Sequence, residues 1–147
     1  MAGVSEKYER LLLDNQLCFP LYACARKVVS DYTPLLKPLG ITYTQYIVFM
    51  VLWERDDLSI GEICERLNLD NGTLTPLLKK MESNGFINRT RSKSDERVIR
   101  VTLTDKGKEL REKAVSVPVS MRQCLHALTD EEIKQMYVLL YKLLNSD

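Results

Sequence analysis

The chain has 147 residues, a length that suits one domain of ordinary size. Hydrophobic residues make up 45% of it and charged residues 28%, a balance that is typical of folded proteins and argues against a disordered chain. The net charge of +1 does not by itself indicate a nucleic-acid partner, and no apolar run approaches the ~20 residues that a membrane-spanning helix needs. No basic stretch followed by an apolar core stands at the N-terminus, so we expect no signal peptide and a cytoplasmic protein.

The first predicted element is a helix over residues 11–32. Pro20 interrupts this helix. Because proline removes a backbone donor and crowds the preceding turn, it predicts a kink or a fresh helix start there. Pro34, Pro38 and Gly40 then predict a short, turn-rich segment that ends the helical N-terminal part of the chain.

Capping boxes predict further helices. In a capping box, a Ser or Thr and a Gln or Glu three residues later each accept a hydrogen bond from the other's backbone N–H group. The pairs with this spacing are Thr42 with Gln45, Ser59 with Glu62, and Thr129 with Glu132. They predict helices over residues 43–54, 60–67 and 133–144.

The middle of the chain contains one more helix, after which the helical periodicity of apolar residues gives way to the two-residue alternation of strands. A tight turn at 68–70 precedes a helix that ends at Ser83, where Asn84 and Gly85 predict a left-handed cap. Pro76 suits a first turn better than a helix interior, so we expect this helix to begin near Thr75.

Beyond Gly85, apolar and polar residues alternate over 86–91 and 97–103, which predicts a two-stranded hairpin with a charged loop at 92–96. Thr104 is expected to cap a following helix that runs to Val115, and Pro118 is expected to kink or end it. The predicted fold is therefore mainly α with a small β-hairpin.

The order of short helix, tight turn, longer helix and basic hairpin is that of a winged helix-turn-helix. The positive charge is concentrated in residues 70–100, which carry seven Lys and Arg against four Asp and Glu, so that the rest of the chain is slightly acidic. A helix fits the major groove, where base edges differ, and a basic hairpin beside it can contact phosphates or the minor groove. This pattern favours DNA binding over the alternative, a helical protein whose basic hairpin is merely solvated.

The candidate DNA-binding residues lie on the second helix and the hairpin loop. Polar side chains that could face bases are followed by lysines that could contact the DNA backbone. The candidates on the helix are Asp70, Asn71, Thr73, Thr75, Lys79 and Lys80.

The four cysteines are expected to be free thiols, because disulfide frameworks are rare in the cytoplasm and the cysteines lack the close pairing of a zinc site. The single histidine excludes a multi-histidine metal site in one chain. We therefore expect no metal and no cofactor. Cys64 is interpreted as a core residue. Cys24 is interpreted as a structural residue, because it lies ~9 Å along a helix from Cys18 and so is beyond the reach of a disulfide bond.

Cys18 differs, since a helix that restarts at Pro20 would place its thiol at a helix N-terminus, which favours a thiolate. Tyrosine hydroxyls can donate hydrogen bonds to such a thiolate, and the nearby tyrosines are Tyr22, Tyr32, Tyr43 and Tyr46. A thiolate can attack a peroxide and become a sulfenic acid, which a second thiol can capture. The alternative is that these tyrosines are ordinary core residues and Cys18 a small hydrophobic one.

Residues 59–107 resemble the winged helix of the MarR family. The residues that carry the resemblance are the stretch 69–82, the loop sequence Asp95-Glu96-Arg97, and Leu103-Thr104-Asp105-Lys106-Gly107. At the N-terminal side, Asn15-Gln16-Leu17-Cys18-Phe19, Leu21-Tyr22-Ala23 and Ile41-Thr42-Tyr43 resemble a narrower group, the organic-hydroperoxide-sensing repressors of OhrR type. The resemblance covers about the whole chain.

The resemblance implies a homodimer in which helices of residues 1–40 and 104–147 interlock, while residues 41–103 of each subunit read one half of a pseudo-palindromic operator. It implies that Arg97 enters the minor groove while Asp95 holds the hairpin.

The same resemblance implies that Cys18 is the thiol that reacts with the organic hydroperoxide. Tyr32 and Tyr43 of the second subunit are then its hydrogen-bond donors, with Tyr22 nearby. By position, Cys124 matches the resolving cysteine of two-cysteine members, which captures the sulfenic acid across the dimer. The alternatives are that Cys124 is buried in the dimer core and that a small thiol caps Cys18 instead.

Three other functions remain as rivals. The nearest is a repressor of the same family that a small phenolic ligand controls, with Cys18 passive. A thiol peroxidase would need a thioredoxin-like alternation of strands and helices, which the sequence lacks, so we expect no enzyme. A protein-interaction module would use the helical ends and would show no salt-dependent binding to duplex DNA.

Overall fold

The computed structural model describes residues 6–146. This part of the chain is mainly helical, with one small sheet. Its α-helices are α1 (Glu6–Glu9), α2 (Cys18–Leu36), α3 (Tyr43–Glu54), α4 (Ile60–Leu67), α5 (Asn71–Ser83), α6 (Asp105–Ala114), α7 (Val117–Cys124) and α8 (Asp130–Leu144). Short 3₁₀ turns at Leu13–Asn15 and Lys37–Leu39 precede and follow α2.

The sheet contains the predicted hairpin and one strand that was not predicted. Strands β2 (Ile87–Arg91) and β3 (Ile99–Leu103) pair antiparallel, with Ile87 opposite Leu103. The two-residue strand β1 (Leu58–Ser59) joins the other edge of β3, which gives the order β1-β3-β2. A strand this short has no readable alternation, so only its pairing with β3 defines it.

All three predicted capping boxes are present, and each opens the helix predicted for it: α3, α4 and α8. Gly85 adopts the left-handed conformation at the end of α5, with φ of 77°, as its position predicted. Thr104 caps α6, and Pro118 lies in the first turn of a separate helix, α7.

The predicted fresh start near Pro20 is confirmed, because α2 begins at Cys18. Pro34, however, does not end α2, which continues to Leu36. The missing N–H of Pro34 leaves only the Ser30 carbonyl without its helical donor, and Ser30 is exposed to water. The buried side chain of Leu36 holds the last turn against the core, so packing outweighs the local cost of the proline.

The predicted start of α5 near Thr75 is also wrong, because the helix begins at Asn71. The carboxylate of Asp70 accepts a hydrogen bond from the backbone N–H of Thr73 and so caps the helix at an earlier residue. Pro76 lies inside the helix and removes only the donor to the Gly72 carbonyl, which is exposed and can be hydrated. The capping aspartate therefore decides where the helix begins.

The core lies between α3, α4, α5 and the sheet. Phe49 packs against Trp53 and Phe86, with ring centroids 5.3 Å apart in both pairs, and Leu74 and Leu78 of α5 are fully buried beneath them. In contrast, no residue of α8 is buried. Among the described residues, no single helix is both long and apolar enough to cross a membrane, and the segments 18–39 and 43–54 reach that length only as a pair bent by 72°.

Candidate nucleic-acid interface and cysteine site

Helix α5 divides cleanly into a buried and an exposed side. Leu74, Leu78 and Met81 recur at helical spacing and are fully buried against α3, α4 and the sheet. Lys79 and Lys80 are exposed on the opposite side, and Thr75 is half-buried between the two. The helix therefore presents a polar, positively charged side to solvent, as a helix that enters the major groove must.

The first turn of α5 is held by side-chain hydrogen bonds. The Asp70 carboxylate accepts from the Thr73 N–H at 2.7 Å and from the Thr73 hydroxyl at 3.1 Å. These bonds to Thr73 hold the pKa of Asp70 below its usual value. Asn71 Oδ1 accepts from the Cys64 thiol of α4 at 3.3 Å, so Asn71 is oriented from behind by the preceding helix.

The hairpin loop, hereafter the wing tip (residues 92–98), is ordered by Asp95. The Asp95 carboxylate accepts from the Arg97 N–H at 3.0 Å, and the Asp95 carbonyl accepts from the Val98 N–H at 2.9 Å. The Ser92 N–H closes the loop on the Val98 carbonyl at 2.8 Å. This Asx-type turn leaves the Arg97 side chain exposed at the wing tip, since only its backbone is engaged by Asp95.

The basic residues of this region fall into two classes that the sequence does not distinguish. Arg89 is bound by Glu82, and Arg100 is bound by Asp57 and Glu62, so both arginines hold the wing to the helices. Within residues 6–146, the cations of the region with no carboxylate partner are Lys79, Lys80, Arg91, Lys93 and Arg97. Arg91 and Lys93 were not among the predicted DNA-binding residues, although Lys93 lies in the predicted charged loop and Arg91 directly before it.

Cys18 is the first residue of α2, and its side chain is exposed in the single chain. No side chain caps this helix; the Phe19 N–H donates to the Gln16 carbonyl at 3.3 Å and Pro20 has no N–H, so the helix dipole is the main feature of this end that favours a negative group. Tyr22 lies one turn further along α2, and the guanidinium of Arg26 sits over its ring at 5.6 Å. The geometry is that of an accessible thiol at a positively polarised helix end.

Tyr32 and Tyr43 lie together, but not near Cys18 of the same chain. Their ring centroids are 4.8 Å apart, and that of Tyr46 is 5.7 Å from Tyr32. Burial, with smaller contributions from Tyr46 and Tyr43, raises the pKa of Tyr32 to about 12, so its hydroxyl stays a hydrogen-bond donor at neutral pH. Cys18 and Tyr32 are fourteen positions apart on one helix, about 21 Å along its axis, so the single chain does not join them.

The other cysteines occupy three different environments. Cys124 is the last residue of α7, is exposed, and directs its thiol to the Ser120 carbonyl at 3.7 Å. Cys24, interpreted as structural, is exposed on α2 in the single chain. Cys64 is half-buried against the core as predicted, and burial raises the pKa of its thiol. No cluster of His, Cys, Asp and Glu suited to a metal occurs among residues 6–146.

The paired helices α4 and α5 with the basic β2-β3 wing define a winged-helix DNA-binding regulator. Comparison with known proteins supports this assignment to the DNA-binding regulators. The family model for the transcriptional regulator SarA/Rot matches residues 31–114. The organic hydroperoxide resistance transcriptional regulator of Bacillus subtilis is 44% identical over 143 residues, which cover 97% of each chain.

Solved structures of AbfR from Staphylococcus epidermidis are similar in fold as well as in sequence. Reduced AbfR bound to DNA is 38% identical, covers 94% of this chain and 95% of its own, and superposes with a TM-score of 0.76. Disulfide-formed AbfR is 35% identical, covers 95% and 97%, and superposes with a TM-score of 0.64. The chain belongs to the MarR family of winged-helix transcriptional regulators, among the organic hydroperoxide resistance regulators of OhrR type.

Proposed function

We propose that this regulator is a cytoplasmic, homodimeric repressor that leaves its operator when an organic hydroperoxide oxidises Cys18. One observation carries the proposal. In a chain related over its whole length to an organic hydroperoxide resistance regulator, Cys18 is an exposed thiol at the uncapped N-terminus of a long helix. An exposed thiol is accessible to a peroxide, and the dipole of a helix stabilises negative charge that develops at its N-terminus.

A second subunit accounts for the apolar surface at both ends of the chain. Large apolar side chains are exposed on the N-terminal segment, including Leu11, Leu12, Leu13, Leu17 and Phe19. Others are exposed on α8, including Met136, Val138, Leu139, Leu140, Leu143 and Leu144. Exposure of this many large apolar side chains is typical of an obligate interface, and a two-fold dimer formed through them would interlock the two helical ends.

The dimer also supplies the donors that Cys18 lacks in its own chain. Tyr32 and Tyr43 are half-buried and clustered, and burial raises the pKa of both, so each keeps a hydroxyl proton to donate. In the proposed dimer, Tyr32 and Tyr43 of one subunit meet Cys18 of the other, with Tyr22 closing the site. Hydrogen bonds to a thiolate stabilise the charged form.

The reaction proceeds in two balanced steps. The Cys18 thiolate attacks one peroxide oxygen, the O–O bond breaks, and the organic part leaves as an alcohol after taking up a proton, so that Cys18 becomes a sulfenic acid. Cys124 of the other subunit, as the thiolate, then attacks the Cys18 sulfur, and hydroxide leaves as water. Each site consumes one hydroperoxide and then stops, which distinguishes a sensor from a peroxidase.

Disulfide formation is proposed to release DNA by moving the reading helices. The two sulfurs must come to ~2 Å, so α7 and the N-terminal end of α2 must approach each other across the dimer. Operator half-sites lie ~34 Å apart, and a shift of a few ångströms between the two α5 helices lowers affinity. The two AbfR states support such a change, since this chain superposes better on the reduced, DNA-bound form than on the disulfide form.

At the DNA, we assign α5 to the major groove and the wing tip to the minor groove. Asn71, Thr73 and Thr75 would face base edges, while Lys79 contacts phosphates and Asp70 fixes the first turn. Asp95 holds the wing tip so that the exposed guanidinium of Arg97 enters the minor groove.

The proposal is tested by electrophoresis without reductant, before and after one equivalent of cumene hydroperoxide per subunit. The proteins compared are wild type, Cys18→Ser, Cys124→Ser and, as the matched control, Cys24→Ser, which removes an exposed thiol from the same helix as Cys18. The expected result is a reducible covalent dimer in wild type and Cys24→Ser only. A covalent dimer that survives Cys18→Ser would overturn the role of Cys18, and no reaction in any variant would favour control by a small ligand.

A further inference from the structure

The guanidinium of Arg122 binds three separate groups around the segment that joins α7 to α8. It donates to the Leu125 carbonyl at 3.3 Å and to the Leu128 carbonyl at 3.2 Å. Its Nη2 and Nε also donate to one Asp130 oxygen, at 2.6 and 3.1 Å. Because Asp130 is the first residue of α8, one side chain fastens the end of α7 to the beginning of α8.

Cys124 lies inside the segment that Arg122 closes. It is the last residue of α7, between Arg122 and the first carbonyl that Arg122 binds, that of Leu125. Its thiol points back along its own helix to the Ser120 carbonyl. In the proposed reaction the Cys124 sulfur must leave this contact to bond the Cys18 sulfur of the other subunit, and any movement of the end of α7 would strain the contacts that Arg122 makes.

We infer that Arg122 is a positioning residue that restrains Cys124, so that it sets how fast Cys124 captures the Cys18 sulfenic acid. The inference rests on the proposed function and concerns only its second step. Arg122 does not contact the reacting atoms in the described structure, and nothing in its contacts affects the attack of Cys18 on the hydroperoxide.

The restraint combines one exposed ion pair with two partly buried hydrogen bonds. The Arg122 and Asp130 side chains are 41% and 71% exposed, so their ion pair is screened by water. The two bonds to the Leu125 and Leu128 carbonyls are partly buried, and the Leu125 carbonyl also accepts from the Leu128 N–H at 3.0 Å, so Arg122 adds to a turn that the backbone already closes. Removing the whole guanidinium should therefore matter more than removing the Asp130 charge alone.

The two chemical steps can be timed separately. The first, in which Cys18 reduces the hydroperoxide to an alcohol, is followed in a Cys124→Ser background by trapping the sulfenic acid with dimedone and mass spectrometry. The second, in which Cys124 displaces hydroxide from the Cys18 sulfur, is followed in proteins that retain Cys124, by rapid alkylation and electrophoresis without reductant. Each protein is the full chain, treated with one equivalent of cumene hydroperoxide.

Arg122→Gln is expected to speed disulfide formation by about three- to tenfold while leaving sulfenic acid formation unchanged. Asp130→Asn, which spares both carbonyl bonds, should change the rate by less than about twofold. Arg122→Lys keeps the positive charge but lacks the branched guanidinium, so its rate of disulfide formation should lie between those of wild type and Arg122→Gln. Arg111→Gln on α6 removes an exposed arginine and serves as the matched control, with no change expected.

A merely structural role would lower the melting temperature without changing the ratio of the two rates. Equal or slower disulfide formation in Arg122→Gln, with wild type reacting normally, would overturn the restraint and leave the proposed function standing. If wild type itself forms a Cys18 sulfenic acid but no disulfide with Cys124, the two-cysteine mechanism fails first, and the restraint fails with it.

Discussion

Glu82 near the end of α5 and Arg89 on β2 form three hydrogen bonds that fasten the wing to α5. The Arg89 side chain donates to Glu82 Oε2 from Nε at 3.0 Å and from Nη2 at 2.8 Å, and the Arg89 backbone N–H donates to Glu82 Oε1 at 3.1 Å. The Arg89 side chain is 18% exposed and that of Glu82 is 37% exposed. Arg89 is thus a structural residue of the wing, although its charge resembles that of a DNA contact.

Glu82→Gln is expected to lower the free energy of unfolding by on the order of 1 kcal/mol, a value reduced for the solvent exposure of Glu82. The hydrogen bonds from Arg89 hold the pKa of Glu82 below its usual value. A depressed folded-state pKa gives stability that is present above the unfolded pKa and is lost as pH falls through the folded one. Urea unfolding at pH 7 and below pH 4 should therefore show a difference between wild type and variant that shrinks in acid; a constant difference would contradict this role of the pair.

Arg97→Ala is expected to weaken binding to the operator by about tenfold or more, because the proposed contact of the guanidinium with the minor groove is lost while the turn held by Asp95 persists. The slope of log affinity against log salt concentration should also become less steep, by the amount expected for the loss of about one phosphate contact. Fluorescence anisotropy on a duplex selected by the reduced protein from a random library measures both. Arg111→Ala, outside the winged helix, serves as the control, and equal loss in the two variants would remove the special role of the wing tip.

Tyr32→Phe is expected to slow oxidation of Cys18 by about tenfold, since one donor to the thiolate is lost without a change in packing. The rate is measured in Cys124→Ser protein with limiting cumene hydroperoxide. Tyr46→Phe is the matched control, because Tyr46 belongs to the same aromatic cluster but is 2% exposed and cannot reach another subunit. If both variants slow the reaction equally, packing of the cluster and not a hydroxyl of the second subunit explains the effect.

Helix boundaries were predicted correctly where a capping box marks them and wrongly where a proline argued against the helix. The pairs Thr42 with Gln45 and Ser59 with Glu62 open helices in the structure as predicted, because both residues of a capping box lie within four positions of each other. Pro34 misled the prediction because burial of Leu36 outweighs the one hydrogen bond that this proline costs, and Pro76 misled it because the Asp70 carboxylate caps α5 at an earlier residue.

The candidate site was only partly readable for a similar reason. Residue types and order identified the winged helix, but they do not say which arginines are already paired: Arg89 and Arg100 bind carboxylates that lie seven or more positions away, or on other elements. The clustering of Tyr32 with Tyr43 and Tyr46 likewise joins α2 to α3, which the sequence does not show. Pairing between distant elements therefore required the structure.

Leu139→Glu on α8 is expected to weaken dimerisation by at least about a hundredfold, because an unpaired charge enters an apolar interface. Sedimentation velocity of the reduced protein over a range of concentrations measures the effect. Lys134→Glu on the same helix reverses an exposed charge and should leave the dimer intact. A dimer that tolerates Leu139→Glu would place the interface elsewhere.

The most direct test of the redox repressor is release of DNA by a hydroperoxide with and without Cys18. Reduced wild type, Cys18→Ser and Cys24→Ser are each bound to the selected duplex, and anisotropy is followed as cumene hydroperoxide is added up to one equivalent per subunit and then dithiothreitol. Wild type and Cys24→Ser are expected to leave the duplex and to rebind on reduction, while Cys18→Ser stays bound throughout. Release of Cys18→Ser at the same dose as wild type would contradict the account, because the oxidant would then act through another group.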